Sequence, residues 1–182
     1  MSAWPTDGVT ADFGLRDVSS DDVDWITEAC HDAEIQRWTL VPRPYTRRHA
    51  EEFVGSNGVG VRTWIVQRLR DCRGVGTIGV HSFDEGVANI GYWIAPWARR
   101  ERAASTAIEL VVREVIGWPN AHTVTAHIAE TNIGSQAAAA RAGFERGIGA
   151  VGATCPDGDR QVQMIPFARS LRGPKGISPS NG

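Results

Sequence analysis

Between Ala88 and Val112 the chain reads ANIGYWIAPWARRERAASTAIELVV, and this stretch restricts the fold more than any other. It opens with β-prone residues at Ile90, Tyr92, Trp93 and Ile94 and is stopped by Pro96. A short, strongly basic segment follows, carrying Arg99, Arg100 and Arg102. From Ala103 the apolar positions Ala104, Ala107, Ile108, Val111, Val112 and Val115 recur at the three-and-four spacing of an amphipathic helix. A strand that feeds a basic loop at a helix N-terminus turns free N–H groups and the positive end of the helix dipole toward whatever docks there. That arrangement suits an anion.

The 182 residues suffice for one domain with its own core, expected over residues 1–172. The final segment, 173–182 (GPKGISPSNG), is too polar and too rich in Gly and Pro to fold, and is expected to be a disordered tail. A net charge of −2 argues against bulk electrostatic binding of nucleic acid, so any basic function has to be local. The three cysteines, Cys30, Cys72 and Cys155, are far apart and form no CxxC or Cys/His cluster, so neither a disulfide framework nor a metal site is expected. The start, MSAWPTDG, lacks a basic region followed by an apolar one, and no apolar run approaches membrane-spanning length. These features lead to the expectation of a cytoplasmic protein with no membrane partner.

Met1–Thr10 is polar and expected to be loosely held. Phe13, Leu15 and Val18 alternate as a strand, and Ser19–Asp22 offer caps for a helix carrying Val23, Trp25, Ile26 and Ala29. Helix continues, in the same or a second short segment, through Ile35 and Trp38 until Pro42 and Pro44. Thr46 caps another helix, through His49, Ala50, Phe53 and Val54, that Gly55 and Gly58 stop. Thr63–Leu69, Val75–Phe83 and Val87–Ala95 then read as three strands joined by short turns, an antiparallel meander. After the helix from Ala103 and a break at Gly117–Asn120 come a strand, Thr123–Ala129, and an Ala-rich helix, Asn132–Arg141, closed by Gly143. Two closing strands are expected at Phe144–Gly152 and Arg160–Phe167, with the turn between them over Ala153–Asp159. Strands and helices in this order make a mixed α+β domain around a central sheet.

With these elements in place, the chain resembles the GCN5-related N-acetyltransferase (GNAT) family, in particular its ribosomal-protein-alanine acetyltransferase branch, over about Leu15–Ser170. Four segments carry the likeness. EIQRWTLVPRPYTRRHAEEFV (Glu34–Val54) is similar to that branch's two-helix, substrate-side segment, and NIGYWIAPWARR (Asn89–Arg100) to its fourth strand. The loop and helix from Arg99 stand where the family keeps its pyrophosphate motif. ETNIGSQAAAARAGF (Glu130–Phe144) is similar to the exit of the fifth strand. The resemblance implies a mostly antiparallel sheet, splayed between the fourth and fifth strands and flanked by helices. It also implies acyl-CoA as co-substrate, with acetyl-CoA the default, and an amine acceptor on a protein N-terminus or small molecule. Monomer and homodimer remain equally open.

By the same resemblance the coenzyme would contact Ile94, Ala95, Arg99, Arg100, Glu101, Arg102, Ala103, Ala104, Ser105 and Asn132. Free backbone amides near Ile94 and Ala95 would meet the pantetheine arm and the thioester carbonyl. The family motif, Gln/Arg-x-x-Gly-x-Gly/Ala, here reads Arg99-Arg100-Glu101-Arg102-Ala103-Ala104, with Arg102 at the central glycine and Arg100 at a second glycine often found in such loops. Glycine permits positive φ and a close approach of backbone to phosphate. Guanidiniums offer bidentate contacts instead.

Chemistry requires a neutral amine, a stabilised oxyanion and a proton for the departing thiolate. Ser135 holds the Asn-x-x-Ser position that the branch uses for the acid, and Ala139 replaces the tyrosine other members use. Asn89 stands where relatives carry a glutamate, which leaves His81 and Glu130 as candidate bases; His127 is expected to be packed or exposed rather than chemical. Of the seven tryptophans, Trp38 and Trp93, with Tyr45, are candidates to line an acceptor pocket. Arg37, Arg43, Arg47 and Arg48 make the acceptor-side segment basic, a pattern that suits an acidic acceptor or a carboxylate-bearing acyl group, and that solvated helix faces more commonly produce. The missing glycine, glutamate and tyrosine support an alternative, a non-catalytic protein of the same fold.

Overall fold

Short apolar alternations produce eight strands and the 3.6-residue periods produce five helices among the described residues, which are 12–148 and 152–171 in the computed structural model. The expected loose N-terminus (Met1–Thr10) and tail (173–182) lie outside the described residues. The order is β1 (Phe13–Arg16), α1 (Val23–Ala29), α2 (Ala33–Trp38), α3 (Arg47–Gly55), β2 (Arg62–Arg68), β3 (Arg73–Asp84) and β4 (Val87–Ile94). After these come α4 (Ala103–Ile116), β5 (Thr123–Ala129), α5 (Ile133–Arg141), β6 (Glu145–Arg146), β7 (Thr154–Asp157) and β8 (Arg160–Ser170). No helix among the described residues is long and apolar enough to cross a membrane.

The sheet runs β1-β2-β3-β4-β5-β8-β6, with β7 paired to β8. All neighbours are antiparallel except β4 and β5, which pair in parallel only over Val87–Ile90 and Thr123–Ala126. Beyond Ile90 the two strands continue without a ladder and leave a wedge between them. Side chains alternate across the sheet and so divide the core in two. Ala88, Ile90, Tyr92 and Ile94 pack on the α4–α5 side, whereas Trp93 and Ala95 pack with α1–α3. Fully buried Asp22 ties β1 to α1 by accepting from Arg16 at 2.6 and 2.8 Å, from the Trp25 indole at 2.7 Å and from the Ser19 amide. Burial works against its charge, but these donors hold its pKa below the ordinary carboxylate value.

The closing strands differ from the sequence expectation. The first is two residues long, and the segment expected as turn contains strand β7. Asp157 pairs with Arg160, so the turn is only Gly158-Asp159, with Gly158 at φ +64°. Pro156 made this segment read as loop. Because β7 pairs only with β8, proline's missing N–H leaves no ladder bond unmade on its open side.

Candidate active site

At the loop before α4, arginines stand where a glycine backbone is required. Arg100 and Arg102 have φ of +65° and +64°, the left-handed region, which costs a bulky residue about 1–2 kcal/mol each. Arg102 is the N-cap of α4 and makes no side-chain cap bond, so the first-turn amides remain open to the cleft. Ala103, Ala104 and Ser105 line that cleft, a cavity of about 730 Å³, together with Ile94, Arg99, Arg100 and Arg102. Arg141 of α5 closes it from the other wall. Among the described residues neither Arg100, Arg102 nor Arg141 has an ion-pair partner, so three guanidiniums and a helix N-terminus converge on one space. The Ser105 hydroxyl is turned back onto the Arg102 carbonyl at 3.1 Å and is 5 % exposed.

Two residues expected at the coenzyme point elsewhere. Glu101 is drawn away to Arg68 and Arg70, at 3.5 Å from each, and does not line the cleft. The Ala95 amide is not free, since it donates to the Val75 carbonyl at 2.8 Å. In an antiparallel pair successive amides face opposite edges, so it is the Ile94 amide that points into the wedge. Arg99 lines the cleft but is also ion-paired to Asp32, the N-cap of α2. Burial raises the Asp32 pKa, yet the Arg99 guanidinium and the amides of Ile35 and Glu34 bring it below the usual carboxylate range.

The sheet's other opening is a larger cavity, about 850 Å³, between the α1–α3 segment and the β4–β5 wedge. Trp38, Tyr45 and Trp93 line it, as do His81, Asn89 and His127. Tyr45 is 6 % exposed, and burial pushes its phenol above its ordinary pKa, with Cys30 beside it adding to the shift. The His81 ring lies over Gly91, where a Cβ would overlap it, and this packing lowers its pKa below the ordinary imidazole value. His127 lines the cavity but is exposed, its Nδ1 hydrogen-bonded to the Asn89 amide at 2.7 Å. Glu130 lines neither space; it lies exposed beyond the end of β5. The four arginines of the acceptor-side segment are not free cations. Arg37 pairs with Asp157, Arg43 with Asp159, Arg47 with Asp24 and Glu51, and Arg48 with Glu52.

Cleft and cavity meet at Trp38, Thr39, Tyr92, Trp93, Asn132 and Ser135, which line both. Asn132 accepts the Ser135 amide at 3.0 Å as the N-cap of α5, which leaves its Nδ2 free to donate to a ligand. With the amide capped, the Ser135 hydroxyl is directed at the Tyr92 hydroxyl, at 2.7 Å. Tyr92 in turn donates to the Ser135 carbonyl at 3.1 Å, and burial pushes its phenol up to about 12. The sequence shows Ala139 where other family members carry a tyrosine, but not that β4 brings Tyr92 beside Ser135. The signal was the GYW triplet, whose alternation puts Tyr92 on the α5 side of the sheet.

An anion cleft and an apolar cavity that meet across a splayed β4–β5 pair define an acyl-CoA-dependent N-acetyltransferase. The chain belongs to the GNAT acetyltransferase family, whose acetyltransferase (GNAT) domain matches residues 12–145. An acetyltransferase (GNAT family) from Bacillus anthracis is 19% identical, with a TM-score of 0.76 over 88% of this chain and 96% of that one. RimL, the ribosomal L7/L12 alpha-N-protein acetyltransferase solved with coenzyme A, is 17% identical, with a TM-score of 0.73 over 89% of this chain and 96% of that one. A Vibrio cholerae spermidine N-acetyltransferase, solved with CoA and spermine, is also 17% identical, with a TM-score of 0.72 over 88% and 96%. Curated protein sequences yield no match.

Proposed function

We propose that acyl-CoA, by default acetyl-CoA, enters the Arg100/Arg102 cleft and that the acceptor amine enters the larger cavity. The acyl group then passes between them beside Tyr92 and Ser135. The observation that carries this reading is the shared lining: the same six residues border both spaces. The unpaired guanidiniums and the open amides of α4 suit the pyrophosphate, and the Ile94 amide suits the pantetheine arm or the thioester oxygen.

In the transfer, the neutral amine nitrogen attacks the thioester carbon, the N–C bond forms and the C–S bond breaks. The proton lost by nitrogen goes to His81, whose partial desolvation lowers its pKa and so favours the neutral, accepting form. The proton taken by the CoA sulfur comes from Ser135. Tyr92, protonated up to about pH 12 and 2.7 Å away, is placed to replace it. No covalent enzyme intermediate is needed.

We place the activity in the cytoplasm and assign it to a single domain over residues 1–172, acting as a monomer or homodimer. Calorimetric titration with CoA and acetyl-CoA tests the reading. Saturable binding followed by amine-dependent thiol release is expected, and an unmoved melting temperature at saturating CoA and acetyl-CoA would leave the non-catalytic alternative.

A further inference from the structure

We propose that the acceptor is a primary amine carried on an aromatic or branched apolar group with no second cation. This deepens the acyltransferase reading and rests on it. Among the described residues the acceptor cavity is lined by a single carboxylate, Glu52, and Arg48 already pairs with it at 2.8 Å. The nearest buried carboxylate, Asp157, is held by Arg37 at 2.6 Å, by Thr131 at 2.9 Å and by Arg160 at 3.6 Å. A polyamine or aminosugar brings several ammonium groups, and each one left without a counter-charge in a partly desolvated space costs free energy. Three imidazoles, His49, His81 and His127, face the same space, and protonating any of them adds repulsion rather than attraction.

The walls carry the positive side of the case. Trp38, Trp93, Tyr45 and Phe53 present aromatic surface to the cavity. At its rim stand Leu40, 87% exposed, and Val59, 56% exposed, which continue the apolar lining outward. Apolar surface at a mouth that continues apolar walls within marks a surface built to be covered. The substrate that covers it carries its apolar group from the wedge outward, with the amine at the Tyr92–Ser135 end.

This chemistry has two sources, a small arylalkylamine and the first residues of a protein chain, and the experiment separates them. The full chain is first titrated with CoA; failure to bind would remove the acyltransferase reading itself, independently of the acceptor. Thiol release from acetyl-CoA is then followed with phenethylamine, with an amidated peptide beginning in leucine, and with spermidine. At least one apolar amine is expected to exceed spermidine in kcat/KM by about tenfold or more, and the better of the two names the source. CoA binding accompanied by a preference for spermidine, or by no turnover of either apolar amine, overturns the proposal. A second variant reads the same logic in reverse. Leu40→Asp with Val59→Asp, both at exposed positions, is expected to lower the KM for spermidine at the expense of phenethylamine, and an unchanged ratio counts against an apolar mouth.

Discussion

The coenzyme cleft and the acceptor cavity share six residues, yet their charges are arranged in opposite ways. In the cleft Arg100, Arg102 and Arg141 are unpaired and converge on the N-terminus of α4. On the segment that covers the cavity four arginines, Arg37, Arg43, Arg47 and Arg48, are each tied to a carboxylate, and none of them lines the cavity. Unpaired charge marks the side that expects a charged ligand. Paired charge serves as scaffold and leaves the cavity's contacts to aromatic and aliphatic walls. Counting arginines along the chain cannot separate these cases, because what differs is the partner.

The junction offers the sharpest test of this division, since it belongs to both spaces. Ser135→Ala is expected to lower kcat by about 10²–10⁴-fold, the worth of a positioned proton donor, while calorimetry shows CoA affinity nearly intact. Unchanged turnover would remove Ser135 from the chemistry. Arg100→Ala combined with Arg102→Ala strikes only the cleft. A rise of about 100-fold in the CoA Kd is expected from two lost charge-assisted contacts, with acceptor KM unchanged at saturating acetyl-CoA. The single change Arg102→Gly divides binding from strain, since it removes a guanidinium but relieves a positive φ. Its CoA affinity is expected to fall while its melting temperature rises, a pair of signs that a merely solvated arginine would not give.

Arg37→Ala strikes the cavity instead, by taking the guanidinium from Asp157, while the Gly158 amide keeps its 2.8 Å bond to the backbone carbonyl of residue 37. An increase on the order of tenfold in acceptor KM is expected, with a much smaller change in CoA affinity. The smallest effect is on pH dependence. His81 acts as a base only when neutral, and its pKa lies below the ordinary imidazole value. Activity is therefore expected to rise with pH through a point below the ordinary imidazole value and to level off above it as far as this group is concerned. His81→Gln should abolish that limb, and a limb that survives the substitution assigns it to another group.

What was legible in the chain tracks the distance over which each feature is decided. The run from β4 through the basic loop to α4 is contiguous, so its strand, its breaking proline and its helix periodicity could all be read. The substitution of arginine for glycine could be seen as a demand for positive φ, and both arginines adopt it. The Tyr92–Ser135 bond spans 43 residues and the Arg37–Asp157 pair spans 120, and no local pattern announces either. Glu101 misled because a charged residue within a motif reads as part of the motif; two neighbouring arginines outside it, Arg68 and Arg70, decide where it points. Strand β7 is four residues long and contains Pro156, and so short a run on an edge carries little alternation to read.

Helix α2 is six residues long and is fastened at both ends. Its N-cap, Asp32, is paired to Arg99 of the coenzyme loop, and Arg37 near its far end is paired to Asp157 of the hairpin against the acceptor cavity. So short a helix has little give of its own, and it behaves as a strut between the two binding spaces. Were a coenzyme phosphate to compete with Asp32 for Arg99, one end of that strut would be released and the wall of the larger cavity would feel the change. Linkage requires the converse, so the acceptor must alter coenzyme affinity by the same factor.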